Sequence, residues 1–175
     1  MGEPPKTFVE IWKLLDGVSL WTGRIFGWLI FPLIAVLVIE VAARKFFIRP
    51  TVYAYDMSYM LYGTLFMLGA PYTLYRKAHI RTDFLYRLWS PRAQGAVDAI
   101  LYLFFFFPGI GLFLWVGWDF ANTSWMLAER TVTSAWGPPI YPLKTIIPLT
   151  AGLLMLQGIS EFTKCLYAAL KGRWP

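Results

Sequence analysis

The sequence predicts an all-α membrane protein with four transmembrane helices and short interfacial amphipathic helices. The 175 residues are 58% hydrophobic and only 15% charged, whereas about 25% of residues are charged in an ordinary soluble domain. A soluble protein of this size could not hide so much apolar surface from water. The apolar residues are also grouped into four long runs, and roughly 20 such residues in a helix are enough to cross the hydrocarbon core of a bilayer.

The four apolar runs define the predicted spans, and all 175 residues are interpreted as one transmembrane domain. The first and fourth runs contain Glu40 and Glu161, so we expect these carboxylates near helix ends or against protein. The residues before the first run include Glu3, Glu10 and Asp16, which does not fit a cleaved signal peptide. The predicted spans cover about residues 24–44, 56–76, 96–119 and 144–170.

The distribution of basic residues predicts how the chain is oriented. Eleven of the sixteen Lys and Arg lie in the amino-terminal segment, the second loop and the carboxy-terminal tail. Because cytoplasmic loops are enriched in Lys and Arg, both termini and the second loop are predicted to be cytoplasmic. The net charge of +6 does not indicate nucleic-acid binding, since the basic residues flank apolar runs and do not form a soluble domain.

Two segments have the pattern of helices that lie in the lipid headgroup layer. In the second loop, at about residues 79–90, apolar residues recur at helical spacing while Arg81 and Asp83 lie on the other side. Such a helix buries its apolar face at the membrane surface; a solvated turn is the alternative. A similar amphipathic pattern at about 5–22 predicts a second surface helix, which would lead into the first span near Gly17 or Gly23.

The boundary between the second loop and the third span carries a helix-start signal. Ser90-Pro91 suits an N-cap followed by proline at the first helical position. Further along the third span, the aromatic run 104–107 offers wide van der Waals contact to lipid or to a partner protein.

The residues that catalysis and cofactor binding require are scarce. One histidine, His79, cannot supply a pair of haem ligands, and one cysteine, Cys165, cannot form an intrachain disulfide. No metal-ligand spacing, glycine-rich phosphate loop or nucleophile elbow occurs in the sequence. We therefore predict that the chain is not an enzyme and holds no cofactor.

Charges within or beside the apolar runs are candidate functional residues, because they are costly in a membrane. Glu40 and Arg44 are four residues apart in the order that favours a helical ion pair. Glu161 and Lys164 are three apart near the inner end of the fourth span, where a lysine can extend toward the headgroups. Asp98 is interpreted as marking one end of the third span.

A few polar and small residues within the apolar runs are candidates for contacts between helices or for kinks. Gln157 and Ser160 could form hydrogen bonds between helices, but a contact with their own backbone is favoured. Gly23 and Gly27 are spaced for close helix approach. Each predicted span also contains a proline that can kink its helix; these are Pro32, Pro71, Pro108 and Pro148.

Three stretches of the sequence resemble the small membrane subunit of the tripartite ATP-independent periplasmic (TRAP) transporters. They are EVAARKF at 40–46, HIRTDFLYRLWSPRAQG at 79–95 and PPIYPLKTIIPLTAGLLMLQGISEF at 138–162. The resemblance implies a four-helix subunit in the bacterial inner membrane, packed as a scaffold against a large permease subunit that works by an elevator mechanism. That partner is expected to hold the substrate and sodium sites, and a periplasmic substrate-binding protein would dock on the complex.

The resemblance also implies which solutes the complex imports and how it is assembled. The expected solutes are organic acids, with members that carry 2-oxo acids or mannitol-like and chloroaromatic compounds the most similar in character. Because the sequence ends at Pro175, we expect the separate rather than the fused form of the subunit, associating with the permease and with membrane lipids. On this basis structural or partner-interface roles are expected for six residues, none of them contacting substrate: Glu40, Arg44, Arg81, Asp83, Lys144 and Glu161.

Two other functions remain open on the sequence. The first is an independent small four-helix exporter that uses Glu40 as its coupling carboxylate, although Glu40 lies near the end of a run rather than in its middle. The second is an accessory subunit of a membrane redox or quinone enzyme, which a bound cofactor would reveal.

Overall fold

The computed structural model describes residues 6–77 and 89–174, and within these ranges the protein is helical, without a β-strand. Residues 78–88 are outside the described part, and so are the predicted site residues Arg81 and Asp83 and most of the predicted surface helix at 79–90. A π-helical turn at Tyr102–Phe106 joins the fourth helix to the fifth. The α-helices are α1 (Lys6–Gly27), α2 (Ile30–Phe46), α3 (Ala54–Tyr75), α4 (Pro91–Leu101), α5 (Phe107–Met126) and α6 (Tyr141–Lys171).

Three helical stretches in the described residues are long and apolar enough to cross a membrane. They are Phe8–Phe46, Pro91–Met126 and Tyr141–Lys171, with 39, 36 and 31 residues. Helix α3 has 22 residues but is not among them; its five tyrosines lower its hydropathy. The predicted class, an all-α protein with apolar membrane helices, is confirmed, while a count of four spans stays a prediction.

Helices α1 and α2 follow each other with only a two-residue break at Trp28 and Leu29. Pro32 has no N–H to donate, so the carbonyl of Trp28 instead accepts from the N–H of Phe31 at 3.2 Å. The helix does not end near Gly17 or Gly23 as expected from the sequence. Whether α1 lies at the membrane surface stays a prediction, as do the predicted span boundaries.

Helix α6 is the centre of the fold and packs against α1, α3, α4 and α5, whereas α2 packs mainly on α3. Two glycines bring the α4–α5 stretch close to α6. A Cβ on Gly95 would lie 2.6 Å from the carbonyl oxygen of Cys165, and one on Gly117 would lie 2.9 Å from a methyl of Ile147. Helices α4 and α5 therefore run antiparallel to α6 at close distance.

The start of α4 is the one the sequence predicted. The Ser90 hydroxyl accepts a hydrogen bond from the N–H of Ala93 at 3.4 Å, and Pro91 is the first residue of the helix. The hydroxyl thus satisfies an amide that has no partner within the helix.

The π-helical turn ends at Phe106, two residues before Pro108. The N–H of Phe107 donates to the carbonyl of Tyr102, five residues back. This turn rotates the aromatic run so that Phe104 and Phe105 are exposed while Phe106 lies over Gly158. Half of the aromatic run therefore packs inside the protein, and half is free to contact lipid or a partner.

Candidate functional site

The polar side chains at the end of the fold where α4 begins and α6 ends, called the inner end below, form one connected group between α1 and α6. Lys164 is at its centre: its ammonium lies 2.7 Å from Asp16 Oδ2 and 2.8 Å from Glu161 Oε1. We call this group the α1–α6 polar cluster; its members are Asp16, Ser19, Gln157, Ser160, Glu161 and Lys164.

Gln157 connects the two helices within this cluster. Its side-chain oxygen accepts a hydrogen bond from Ser19 at 2.6 Å, and its NH₂ group donates to Asp16 at 3.0 Å. Ser160 also donates to Asp16, at 2.8 Å. The preference for a local backbone contact at Gln157 and Ser160 was therefore wrong, because both side chains bond across the helix interface.

The α1–α6 polar cluster is largely shielded from solvent. The side chain of Glu161 is 3% exposed and that of Lys164 is 13% exposed. Lys77, at the end of α3, approaches the same carboxylate at 3.9 Å. Two lysines thus balance the two carboxylates of Asp16 and Glu161, which is the condition under which buried charges are tolerated.

Uncharged contacts also hold helix α1 against its neighbours. The indole N–H of Trp12 donates to the hydroxyl of Thr163 at 2.8 Å, and only 7% of Trp12 is exposed. Nearer the carboxy terminus of α1, a Cβ on Gly23 would lie 2.4 Å from Tyr72 of α3, while one on Gly27 would meet nothing within 4 Å. Close approach was thus correctly expected at Gly23 but does not occur at Gly27.

The opposite end of the fold, where α5 ends and α6 begins, is called the outer end below; it has separate polar groups, each of which connects a helix to a loop. Glu40 accepts hydrogen bonds from Arg44 and from both the N–H and the hydroxyl of Thr51. These bonds anchor the segment between α2 and α3. Asp56, 3% exposed, accepts from the hydroxyls of Thr133 and Ser134 in the loop before α6.

Lys144 connects the same loop to α6. Its ammonium lies 2.5 Å from Glu129 Oε2 and 3.9 Å from the ring centroid of Phe120. The Ser124 hydroxyl also donates to Glu129, at 2.8 Å. The bonds from Lys144 and Ser124 hold the pKa of Glu129 below its ordinary value of 4.5.

The structure places the predicted site residues in different regions. Glu40 and Arg44 form the predicted ion pair, with nitrogen and oxygen 2.6 Å apart, and Glu161 pairs with Lys164 as their spacing suggested. Lys144 lies at the opposite end of α6 from Glu161. Their predicted roles at a partner interface stay predictions.

Sequence reasoning missed three acidic residues that organise these groups. Asp16 and Glu129 pair with lysines far along the chain, and Asp56 orders a loop. The position of Asp16 one turn after Trp12 was a usable signal, because it puts both on the face that meets α6. Asp98 does more than mark the end of a span, since it is 9% exposed and its carboxylate lies 3.9 Å from Cys165 Sγ.

The outward faces of α2 and α5 are apolar over most of their length, with exposed charges near the carboxy-terminal ends, at Arg44 and Lys45 of α2 and at Asp119 of α5. Leu33 is the one buried side chain of α2, and α5 buries only Gly117, Ala121 and Ser124. Large apolar side chains on both helices are 60% exposed or more, among them Val38 at 61% and Trp115 at 77%. We call these surfaces the outer α2 and α5 faces.

The long apolar helical stretches, with many large apolar side chains exposed on α2 and α5, define a helical membrane protein. A comparison with known families makes this specific. The family described as tripartite ATP-independent periplasmic transporters, DctQ component, matches residues 33–167. The chain belongs to this family.

Membership identifies the chain as the small permease component of a TRAP transporter, as the resemblance in its sequence predicted. The family is a component of transporters and not a family of enzymes, and it implies the bacterial inner membrane. A search of the curated proteins found no match.

Proposed function

We propose that this subunit is a fixed scaffold that packs against the large permease subunit of a sodium-coupled importer of organic acids, supplied by a periplasmic substrate-binding protein. The preferred solutes are 2-oxo acids or mannitol-like and chloroaromatic compounds. The observation that supports the scaffold role most directly is that the charges of the α1–α6 polar cluster pair inside the subunit while large apolar side chains of the outer α2 and α5 faces are exposed.

The proposed arrangement has four membrane crossings, made by α1–α2, α3, α4–α5 and α6, with both termini in the cytoplasm. Helix α3 has 22 residues and is about 33 Å long at 1.5 Å per residue, enough for a hydrocarbon core of about 30 Å. Its packing against α1, α2 and α6 leaves Asp56, the one charged residue of α3, only 3% exposed, whereas Tyr55, Tyr59 and Tyr62 stay exposed. The excess of basic residues at the inner end supports the orientation.

The spacing of polar groups along α6 supports a scaffold rather than a conduit. Between Thr145 and Gln157, Thr150 is the one polar side chain of this helix. Lys144 and Gln157 are thirteen residues apart, or about 20 Å along the axis, so α6 offers no relay between the outer polar groups and the α1–α6 polar cluster. Glu40, the coupling residue in the exporter alternative, is bound to Arg44 and Thr51 at the end of its helix.

Co-purification with the large subunit tests the scaffold role. Val38→Trp and Val116→Trp enlarge the outer α2 and α5 faces without adding charge, so membrane insertion is retained while close packing against protein is blocked. We expect at least one of them to lower recovery of the large subunit about tenfold, the effect of losing roughly 1.4 kcal/mol of association. Val132→Trp, in the loop before α6 at a residue 96% exposed, is the control.

Transport by reconstituted vesicles completes the test. Substrate uptake should require the large subunit and the binding protein, and Arg81 or Asp83 replacements should reduce assembly more than they change the Michaelis constant. Flux through this chain alone would contradict the proposal, and so would unchanged co-purification with both tryptophan variants.

A further inference from the structure

A cavity of about 660 Å³ lies at the inner end of the fold, between α1, the end of α3 and α6. Its wall includes four basic and two acidic side chains, so the lining carries an excess of positive charge. The basic residues are Lys13, Arg76, Lys77 and Lys164, and the acidic residues are Asp16 and Glu161.

The basic side chains differ in whether they already pair with a carboxylate of the protein. Lys164 donates to both carboxylates. Lys77 has a long ion pair of 3.9 Å with Glu161 and lies 4.4 Å from the ring centroid of Trp174. Lys13 and Arg76 are exposed, and within residues 6–77 and 89–174 neither side chain has a carboxylate partner.

Aromatic side chains on the same wall indicate its depth in the membrane. Trp12, Tyr75 and Trp174 line the cavity, and tryptophan and tyrosine concentrate at the level of the lipid headgroups. The indole N–H of Trp174 donates to Gln94 of α4 at 3.2 Å, which fixes this ring at the cavity wall. The cavity therefore combines exposed basic side chains with the aromatic residues typical of the interface.

We propose that this cavity binds the phosphate of an anionic phospholipid, with Lys13, Arg76 and Lys77 as the donors. The guanidinium of Arg76 can donate two parallel hydrogen bonds to one phosphate, and the two ammonium groups add charge-assisted bonds. Val9 and Trp12 offer apolar surface to the glycerol and first acyl carbons. The inference rests on the proposed orientation, which puts the cavity in the cytoplasmic headgroup layer.

Native mass spectrometry of the isolated full-length chain in detergent tests the site with phosphatidylglycerol as the probe. We expect phosphatidylglycerol to be retained about tenfold more than phosphatidylcholine, because the zwitterion gains less from a positive lining. In Lys13→Gln/Arg76→Gln, retention of phosphatidylglycerol should fall about tenfold or more, since two charge-assisted contacts are lost. Lys45→Gln/Arg49→Gln removes the same charge from exposed residues at the outer end and should leave retention unchanged.

Three results would overturn the site. Equal loss in the two double variants would mean nonspecific attraction, and equal retention of both lipids would mean no selection for negative charge. Displacement of the lipid by millimolar inorganic phosphate would identify a soluble anion as the ligand. Because the measurement uses the chain without its partners, it is independent of co-purification with the large subunit, so the failure of one proposal is distinguishable from the failure of the other.

Discussion

Two lysines of α6 form ion pairs at opposite ends of the helix, and the two pairs have very different surroundings. Lys164 lies between the carboxylates of Asp16 and Glu161, and the Glu161 side chain is 3% exposed. Lys144 has one carboxylate partner, Glu129, whose side chain is 40% exposed. The two ammonium groups themselves are equally shielded, each side chain being 13% exposed.

The two sites differ in how well water can solvate the carboxylates that remain when the lysine is removed. Water can solvate Glu129 when Lys144 is removed. Without Lys164, Glu161 would remain buried and charged, with only Lys77 at 3.9 Å as a cationic partner. Breaking a buried pair costs far more than breaking an exposed one. The inner pair should therefore hold the fold together, and the outer pair should adjust the position of a loop.

Lys164→Met should give the largest loss of stability. Methionine keeps most of the volume but leaves Asp16 and Glu161 without their shared cation, at an expected cost of about 3 to 5 kcal/mol. The measurement is thermal or denaturant unfolding in detergent, followed by tryptophan fluorescence. Lys144→Met is the matched control from the same helix and should change stability much less.

A compensating variant sharpens this comparison. Neutralising both carboxylates in Lys164→Met/Asp16→Asn/Glu161→Gln removes the uncompensated charge and should recover part of the lost stability. Equal losses of stability for the Lys164 and Lys144 single variants would show that burial does not increase the contribution of the α1–α6 polar cluster to the free energy of unfolding.

Close packing provides a second comparison between the two ends of α6. Gly95→Ala, at the inner end, would press a methyl against backbone atoms of α6 at 2.6 Å, so α4 has to move. We expect a destabilisation of about 1 to 3 kcal/mol. At the outer end, Gly117→Ala meets the Cγ2 methyl of Ile147 at 2.9 Å. This is a side-chain contact rather than a backbone contact, so the substitution should cost less, which the same unfolding experiment can measure.

Gly109→Ala is the control for helix propensity. Gly109 is in α5, and a Cβ there would meet nothing within 4 Å. This variant should be neutral or more stable by up to about 1 kcal/mol. If Gly95→Ala behaved like Gly109→Ala, the close contact of α4 with α6 would not be a constraint on the fold.

Local signals in the sequence predicted much of the fold. The apolar runs located the helices, Ser90-Pro91 located the start of α4, and short-range pairs such as Glu40 with Arg44 were readable from their spacing. These features depend on neighbours within about one helical turn, so the sequence alone contains the necessary information.

The contacts between distant segments could not be read in this way. Asp16 and Lys164 are 148 residues apart, and a helical period shows which face Asp16 occupies but not which helix that face meets. The same limit explains the error at Gln157, whose partners are on α1. Helix α1 continues past Gly17 and Gly23 to Gly27, and the break at Trp28 and Leu29 lies where Pro32 removes a backbone donor, as a proline in the first span predicted.

The Lys144–Glu129 pair should be detectable as a pH dependence of the stability rather than as a large loss of stability. Since the pKa of Glu129 is lowered in the folded protein from its ordinary value of 4.5, its stabilising contribution is complete above about that value. The contribution is then lost as the pH falls through the lowered pKa, because the folded state resists protonation that the unfolded state accepts.

Unfolding temperatures of the parent chain and of Glu129→Gln, measured from about pH 7 to about pH 3, isolate this contribution. The variant should be less stable at neutral pH, and the two curves should converge in acid, where Glu129 becomes protonated in both states. Other carboxylates titrate in the same range, but they affect both proteins and cancel in the difference. A gap that stays constant or widens as the pH falls would mean that the bond to Lys144 does not stabilise the ionised form.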